Sequence, residues 1–101
     1  MTTIIEQKDG RLLLNGKLNF ATVVPVRELG MSFIDGFLQS TIVFDFSEAV
    51  ISDNAALALF TAWLRYAASK GKKIRFANIP QQLQDMLELT GLNAIIQIEK
   101  K

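Results

Sequence analysis

No cysteine and no histidine occur anywhere in the 101 residues. Without cysteine there is no disulfide, no thiolate nucleophile and no thiolate metal ligand, an absence that fits a reducing compartment. Without histidine the chain lacks the commonest general base, the commonest metal ligand and the usual switch near neutral pH. An excess of charge is missing too. Eleven Lys and Arg stand against ten Asp and Glu, a balance that calls for neither nucleic acid nor an anionic membrane surface. Met1 to Glu6 shows no basic stretch leading into an apolar one, so no signal peptide is read. Asp45, Glu48, Asp53 and Arg65 interrupt the longest apolar runs, and none reaches the roughly 20 residues that a spanning helix needs. These absences lead to the expectation of a soluble, cytoplasmic protein with no metal, no cofactor and no direct membrane insertion.

What is present is apolar. Half the residues are hydrophobic, enough to bury one core at the common domain size without staples. No repeat, linker or low-complexity segment divides the chain, so residues 1–101 are read as one domain. Thr3 to Gln7 is rich in β-branched residues and reads as a strand. Asp9-Gly10 is a strong hairpin signal, and Arg11 to Asn15 supplies the return strand. Gly16 is read as ending or bulging that strand. Asn19 or Thr22 can cap the next helix, with Pro25 in its first turn. Its apolar residues Val26, Leu29, Phe33 and Phe37 recur at helical spacing. Val23, Met31, Ile34 and Leu38 widen that surface, and Gly36 is a natural end. Lys73 to Ala77 alternates as a strand with one wet face. Asn78-Ile79-Pro80 opens a last helix with Leu83, Met86, Leu87 and Thr90 as its stripe and Gly91 as its stop. Ala94 to Ile98 can add an edge strand, blunted by Glu99-Lys100-Lys101.

The centre of the chain is Thr41 to Phe60. Thr41 to Phe46 reads as a buried strand, and Ala55 onward as a helix built from strong helix formers. Asp53 and Asn54 stand just before it, where a side-chain oxygen can accept first-turn amides. A strand feeding a capped helix is half of a βαβ unit, and such strand ends usually carry function. Ala56, Leu59, Phe60, Trp63 and Ala67 are spaced to face the sheet. The opposite stripe, Ala55, Ala58, Thr61, Ala62, Arg65 and Ser69, is small and nearly chargeless, unlike an ordinary solvated face. Small side chains admit close approach, and Arg is enriched at interface hot spots. Gly71 and its lysines end this helix. The whole reads as an α/β sandwich, a mixed sheet of four to five strands with about three helices in the order β-β-α-β-α-β-α-(β).

Asp45-Phe46-Ser47 followed by Asp53-Asn54-Ala55-Ala56-Leu57 resembles the signature of the STAS family, the sulfate transporter and anti-sigma factor antagonist domains. Leu14-Asn15-Gly16-Lys17-Leu18-Asn19 is similar to the family's early strand, and Leu83 to Leu92 to its last helix. Val24-Pro25-Val26-Arg27-Glu28-Leu29 resembles the first helix of one subgroup, the small STAS subunits of lipid-asymmetry ABC transporters (the MlaB group). The family's phosphorylatable Ser or Thr is replaced here by Asn54, and its helix-start Gly by Ala56. The resemblance implies a STAS fold and a binding module without catalysis. It also implies an ABC-transporter ATPase subunit (MlaF-like) as partner, in phospholipid transport and lipid asymmetry. Asp53, Asn54, Ala55, Ala58, Thr61, Ala62 and Arg65 are the expected partner-binding residues. A weak homodimer is compatible with this reading. The alternative is an anti-sigma factor antagonist that binds a regulatory kinase without phosphorylation at Asn54; whether Ser52 replaces the lost phosphosite is open. A third reading, a phospho-acceptor enzyme using Asp45, Glu48 and Asp53 around a divalent cation, has only Lys73 and Thr90 as poor matches for its other parts. Asp45 is otherwise a strand-end residue that holds the loop through backbone amides.

Overall fold

In the computed structural model, which describes residues 2–51, 53–91 and 97–98, the chain first turns back at Asp9-Gly10. Both take left-handed backbone angles, φ 60° and 76°, as the two central residues of a type I′ hairpin turn must. Asp tolerates that region and Gly enters it without strain. The turn joins β1 (Thr3–Glu6) to β2 (Arg11–Leu18), and the two pair antiparallel. Every later pairing is parallel, β3 (Thr41–Ile51) on β2, β4 (Lys73–Ala77) on β3 and β5 (Gln97–Ile98) on β4. Helices α1 (Val23–Gly36), α2 (Ala55–Ser69) and α3 (Gln81–Thr90) make the crossovers. The sheet therefore runs β1-β2-β3-β4-β5 in space as in sequence, and the α/β order matches the one expected. Of the expected edge strand, residues 94–96 lie outside the described residues, as does the 99–101 tail.

Burial alternates along the strands and marks one face as the core side. Leu12, Leu14 and Leu18 of β2, Ile42, Phe44 and Phe46 of β3, and Ile74 and Phe76 of β4 are buried. The α2 stripe Ala56, Leu59, Phe60, Trp63 and Ala67 is buried against them, as its spacing predicts. Aromatic rings fill the layer between. Trp63 stacks on Phe44 with centroids 4.1 Å apart, Phe60 stacks on Phe76 at 4.1 Å, and Phe46 meets Phe60 edge-on at 5.1 Å. Such pairs add specificity beyond the area they bury.

The first helix differs from its sequence reading. Its buried residues are Val26, Gly30 and Ile34, whereas Leu29 is partly exposed and Leu38 fully so. The reason is Trp63. Its indole lies directly against Gly30 and donates from Nε1 to the Arg27 carbonyl at 3.1 Å. The helix thus approaches through its glycine, and the residues beside that line turn outward. In α3, Leu83 and Leu87 are buried as expected, but Thr90 is exposed and its hydroxyl donates to the Met86 carbonyl at 3.1 Å.

The strands at the site run further than their apolar runs suggest. β2 continues through Gly16 to Leu18, and β3 continues through Ser47 to Ile51. The bulge lies in β3 rather than at Gly16. Leu13 pairs with Asp45 but Asn15 pairs with Glu48, so Leu14 stands opposite two residues, Phe46 and Ser47. The extra residue lets Ser47 and Glu48 turn to solvent while Phe46 and Ile51 both stay inward. Pairing of β3 with β4 stops at Asp45↔Ala77, so β2 and β3 project beyond the rest of the sheet and carry the start of α2 at their tip.

The far end of the fold is closed by lysines. Gly71, at φ 71°, completes the α2 C-terminus: its amide donates to Ala68 O at 3.1 Å and the Lys72 amide to Ala67 O at 2.8 Å. The Lys72 ammonium goes to a different helix. It donates to the carbonyls of Ile34 and Phe37 at the end of α1, where a cation offsets the helix dipole. Replacing Lys72 by Met is expected to destabilise the fold by about 1–2 kcal/mol in urea denaturation, whereas the same change at exposed Lys73 should stay within about 0.5 kcal/mol.

Candidate functional site

The projecting end of β2 and β3 brings two loops together. After Leu18, the Asn19 side chain organises the first. Its Oδ1 accepts the amides of Ala21 at 2.9 Å and Thr22 at 3.1 Å. Thr22 is the residue before α1, yet its hydroxyl gives the helix no cap bond; it accepts the Asn19 amide and reaches the Lys17 carbonyl. Asn19 therefore shapes the entry one turn early, a compact way to start a helix without exposing loose amides.

The second loop leads from β3 into α2, and Asp53 governs it. Its Oδ1 accepts the Ala55 amide at 2.9 Å and its Oδ2 the Phe20 amide at 3.2 Å. One carboxylate thus caps the helix and pins the β2–α1 loop beside it. Asn54 occupies the position before the helix and is exposed, but its side chain makes no cap bond; only its carbonyl is used, by the Leu57 amide at 3.1 Å. The expectation that both residues cap holds for Asp53 alone. Ser52 lies outside the described residues.

From Asn54 the outward stripe climbs α2. Ala58 and Arg65 are exposed, and Thr61 and Ala62 are half-buried. The Thr61 hydroxyl donates back to the Leu57 carbonyl at 3.1 Å, so that position presents mainly a methyl group. Arg65 is the one charged residue of α2, and no carboxylate among the described residues pairs with it. Ala55 is a correction. It is 3% exposed, so it does not belong to the outward stripe that its spacing suggests. Sequence reasoning missed Phe20, in the loop that Asp53 pins and 69% exposed, and Val24 near the start of α1, about half exposed; Val50, also half exposed, lies between the core-side Ala49 and Ile51 of β3 and faces the other side of the sheet. A shallow apolar recess is lined by Thr2, Ala21, Thr22, Pro25 and Val26. The signal was there in Phe20, an aromatic in a loop segment outside every periodic run.

Asp45 is not a strand-end residue but an internal one of β3, and it is buried. It accepts Asn78 Nδ2 at 2.9 Å, the Ser47 amide at 2.9 Å, and Arg11 Nη2 and Nε at 3.1 and 3.3 Å. Burial alone would push its carboxyl up; the donors from Asn78, Ser47 and Arg11 outweigh that and hold it below its ordinary value of 3.8. Asn78 reaches it from a left-handed backbone, φ 55°. Asp45 thus fastens β2, β3 and the β4–α3 loop at the base of the projection. The proposed acidic cluster does not form: Asp45 and Asp53 spend their oxygens on these separate bonds, and among the described residues no group of three or more His, Cys, Asp and Glu could hold a metal ion. No helix of the described residues is long and apolar enough to cross a membrane. What the arrangement leaves outward on α2 is a face of small side chains with one charge, Arg65.

Comparison with known proteins bears on what such a surface meets. The family model described as Mlab, STAS domain, matches residues 1–97. No curated protein matches the chain. Among solved structures, a chain of the Acinetobacter MlaFEDB complex in its ATP-bound Vtrans2 conformation superposes with a TM-score of 0.79 at 18% identity, over 94% of this chain and 99% of that one. An anti-sigma factor antagonist of Thermotoga maritima, assigned as such provisionally, gives 0.75 at 20% identity, over 100% and 86%. The Bacillus cell fate determinant SpoIIAA in its phosphorylated form gives 0.70 at 14%, over 100% and 93%. At these identities the likeness establishes the fold.

Proposed function

The chain belongs to the STAS domain family, matched by its Mlab model, and from that premise we infer that it is a non-catalytic cytoplasmic subunit that docks on the ATPase of a phospholipid-transporting ABC complex and supports it. The observation that carries this reading is the outward face of α2: Asn54, Ala58, Thr61, Ala62 and Arg65 run from a carboxylate-locked turn with a single charge among them. Such a face lets a partner approach the helix closely and leaves little polar surface to desolvate. The residues bring no nucleophile with a base, and the Asp53 carboxylate is occupied by two amides. The sequence of the first helix, Val24-Pro25-Val26, points to the transporter subgroup rather than to the regulators.

Ala58→Glu and Arg65→Glu place a carboxylate on this face at exposed positions. Each is expected to keep the melting temperature of the parent and to weaken co-purification with the ATPase subunit by about thirtyfold or more. Undiminished co-purification of both variants would remove the face from the interface. The second reading is an anti-sigma factor antagonist, and the fold shared with SpoIIAA favours it. Against its phosphorylated form stands Asn54, an amide where that branch carries a hydroxyl. Immobilised protein exposed to native extract separates the two: retention of a regulatory kinase instead of a transporter ATPase supports the regulator.

A further inference from the structure

The sheet has a second face, and nothing among the described residues covers it. Each of the three crossovers, β2-α1-β3, β3-α2-β4 and β4-α3-β5, steps one strand in the same direction. Right-handed connections of that kind put all three helices on one side, and one core cluster draws residues from all three. A mostly parallel sheet is ordinarily covered on both sides, because its strands carry apolar residues both ways. Here the bare side shows Ile5, 46% exposed, half-buried Leu13 and Val43, and Val50, 54% exposed. Cations stand around them. Lys17, Lys73 and Arg75 are exposed on this face, and no carboxylate among the described residues pairs with them. Arg11 is already bonded to Asp45, which leaves Glu48 as the one opposing acid among the described residues of the face.

The complement of this face is found on the chain itself. Asp85, Glu88 and Leu89 of α3 are exposed, Leu89 at 88%. At spacings of three and four they share one stripe, and α3 carries no basic residue. Asp85 accepts only the Gln81 side-chain amide, at 2.9 Å, and no cation among the described residues pairs with Glu88. Size agrees as well as sign. The two carboxylates stand about 4.5 Å apart along the helix axis, and Lys73 and Arg75 about 6.6 Å apart along β4, within reach of long side chains. Val43 lies across from Arg75 in the sheet, so an apolar floor adjoins the cations. We propose that α3 of one copy lies on the bare sheet face of a second copy, with Asp85 and Glu88 against Lys73 and Arg75 and with Leu89 on Val43 and Leu13. The outer side of α3 and the bare face are on opposite sides of the molecule, so the contact is head-to-tail and does not close at two copies. One helix on a sheet covers less than the roughly 800 Å² per side of a stable complex, so the association is weak and reversible.

Sedimentation velocity of the full chain, from low micromolar to millimolar concentration, tests this. The average mass is expected to rise with concentration past that of a dimer, and added salt should lower it. Arg75→Glu and Glu88→Arg, both at exposed positions, should each weaken association about thirtyfold or more with an unchanged melting temperature. Mixed in equal amounts, the two variants should associate again, because the new acid on one sheet meets the new base on the other α3. Leu89→Ser should weaken association about tenfold. Glu28→Lys, a charge change of the same sense on α1, should associate as wild type does. Growth that stops at a dimer would mean a two-fold interface and refute the head-to-tail contact. Single swaps that associate as wild type does, or a mixture that stays apart, would refute it too. A wild type that is monomeric at millimolar concentration rules out a second copy as the occupant and leaves the face to a different protein.

Discussion

Gly30→Ala is expected to lower the melting temperature by about 15 °C, corresponding to about 2–4 kcal/mol for a domain of this size. A Cβ built at Gly30 would lie 2.5 Å from Trp63 Cε2 and 2.6 Å from Cζ2, and closer still to Nε1. The indole cannot retreat. It is stacked face to face on Phe44, its planes within 6°, and it is fully buried. Helix α1 must move instead. That overpacks the core, for about 1–3 kcal/mol, and takes the Arg27 carbonyl away from Trp63 Nε1, for about 1–3 kcal/mol more if the donor is left unpaired. Alanine's better helix propensity returns about 1 kcal/mol. A double-mutant cycle checks the cause. Gly30→Ala made in a Trp63→Phe background should be much less harmful than in the parent. Strict additivity would mean that the clash lies elsewhere.

Asp45→Ala comes next, with an expected loss of about 2–4 kcal/mol. The substitution leaves the Asn78 amide, the Ser47 N–H and the Arg11 guanidinium without the oxygens they now share. The Arg11–Asp45 pair is partly solvent-screened, with side chains 29% and 10% exposed, so most of the loss comes from the buried donors rather than from the charge pair. The pH dependence has a definite sign. Since the native carboxyl sits below its ordinary 3.8, the unfolded chain binds that proton more readily. The contribution is fully present above about pH 4–5, falls as acid carries the group through its native value, and vanishes below it. Thermal melts of wild type and Asp45→Asn should therefore differ at pH 7 and converge in strong acid. A gap that is constant or widens on acidification would show that the native carboxyl is not held low. Loss of this bond network should also loosen the base of the β2–β3 projection, and binding should weaken along with stability.

Several features followed from local chemistry and were legible at once. Asp9-Gly10 makes the hairpin because both central residues must accept positive φ. Ala56 to Ala67 recur at helical spacing, and that stripe is buried as written. Gly71 and Gly91 stop their helices at positive φ, 71° and 76°, where a Cβ would be strained, and Gly36 is the last helical residue of α1 as read. Asp53 caps because it stands within reach of the first amides. Each of these is settled by residues a few positions apart, so a linear reading suffices.

Other features depended on which residues meet from opposite ends of the chain. Gly30 is a poor helix former by propensity alone, and only the fold shows Trp63, 33 positions later, packed against it. Lys72 reads as a cap for the helix it follows, yet its ammonium serves α1. Asn54 is a good capping residue whose side chain does not cap, and the Leu57 amide within its reach goes to its own backbone carbonyl instead. Ala55, counted on the outer face by spacing alone, is buried. Phe20 carries no periodic signal, and only the fold places it beside the α2 start. By itself, then, the sequence determined the order of strands and helices, the buried face of α2, and the lack of histidine and thiol chemistry, because these depend on composition and short spacing. The tertiary structure alone decided which surface is left open for a partner, because that depends on long-range contacts that cover some apolar side chains and leave others bare.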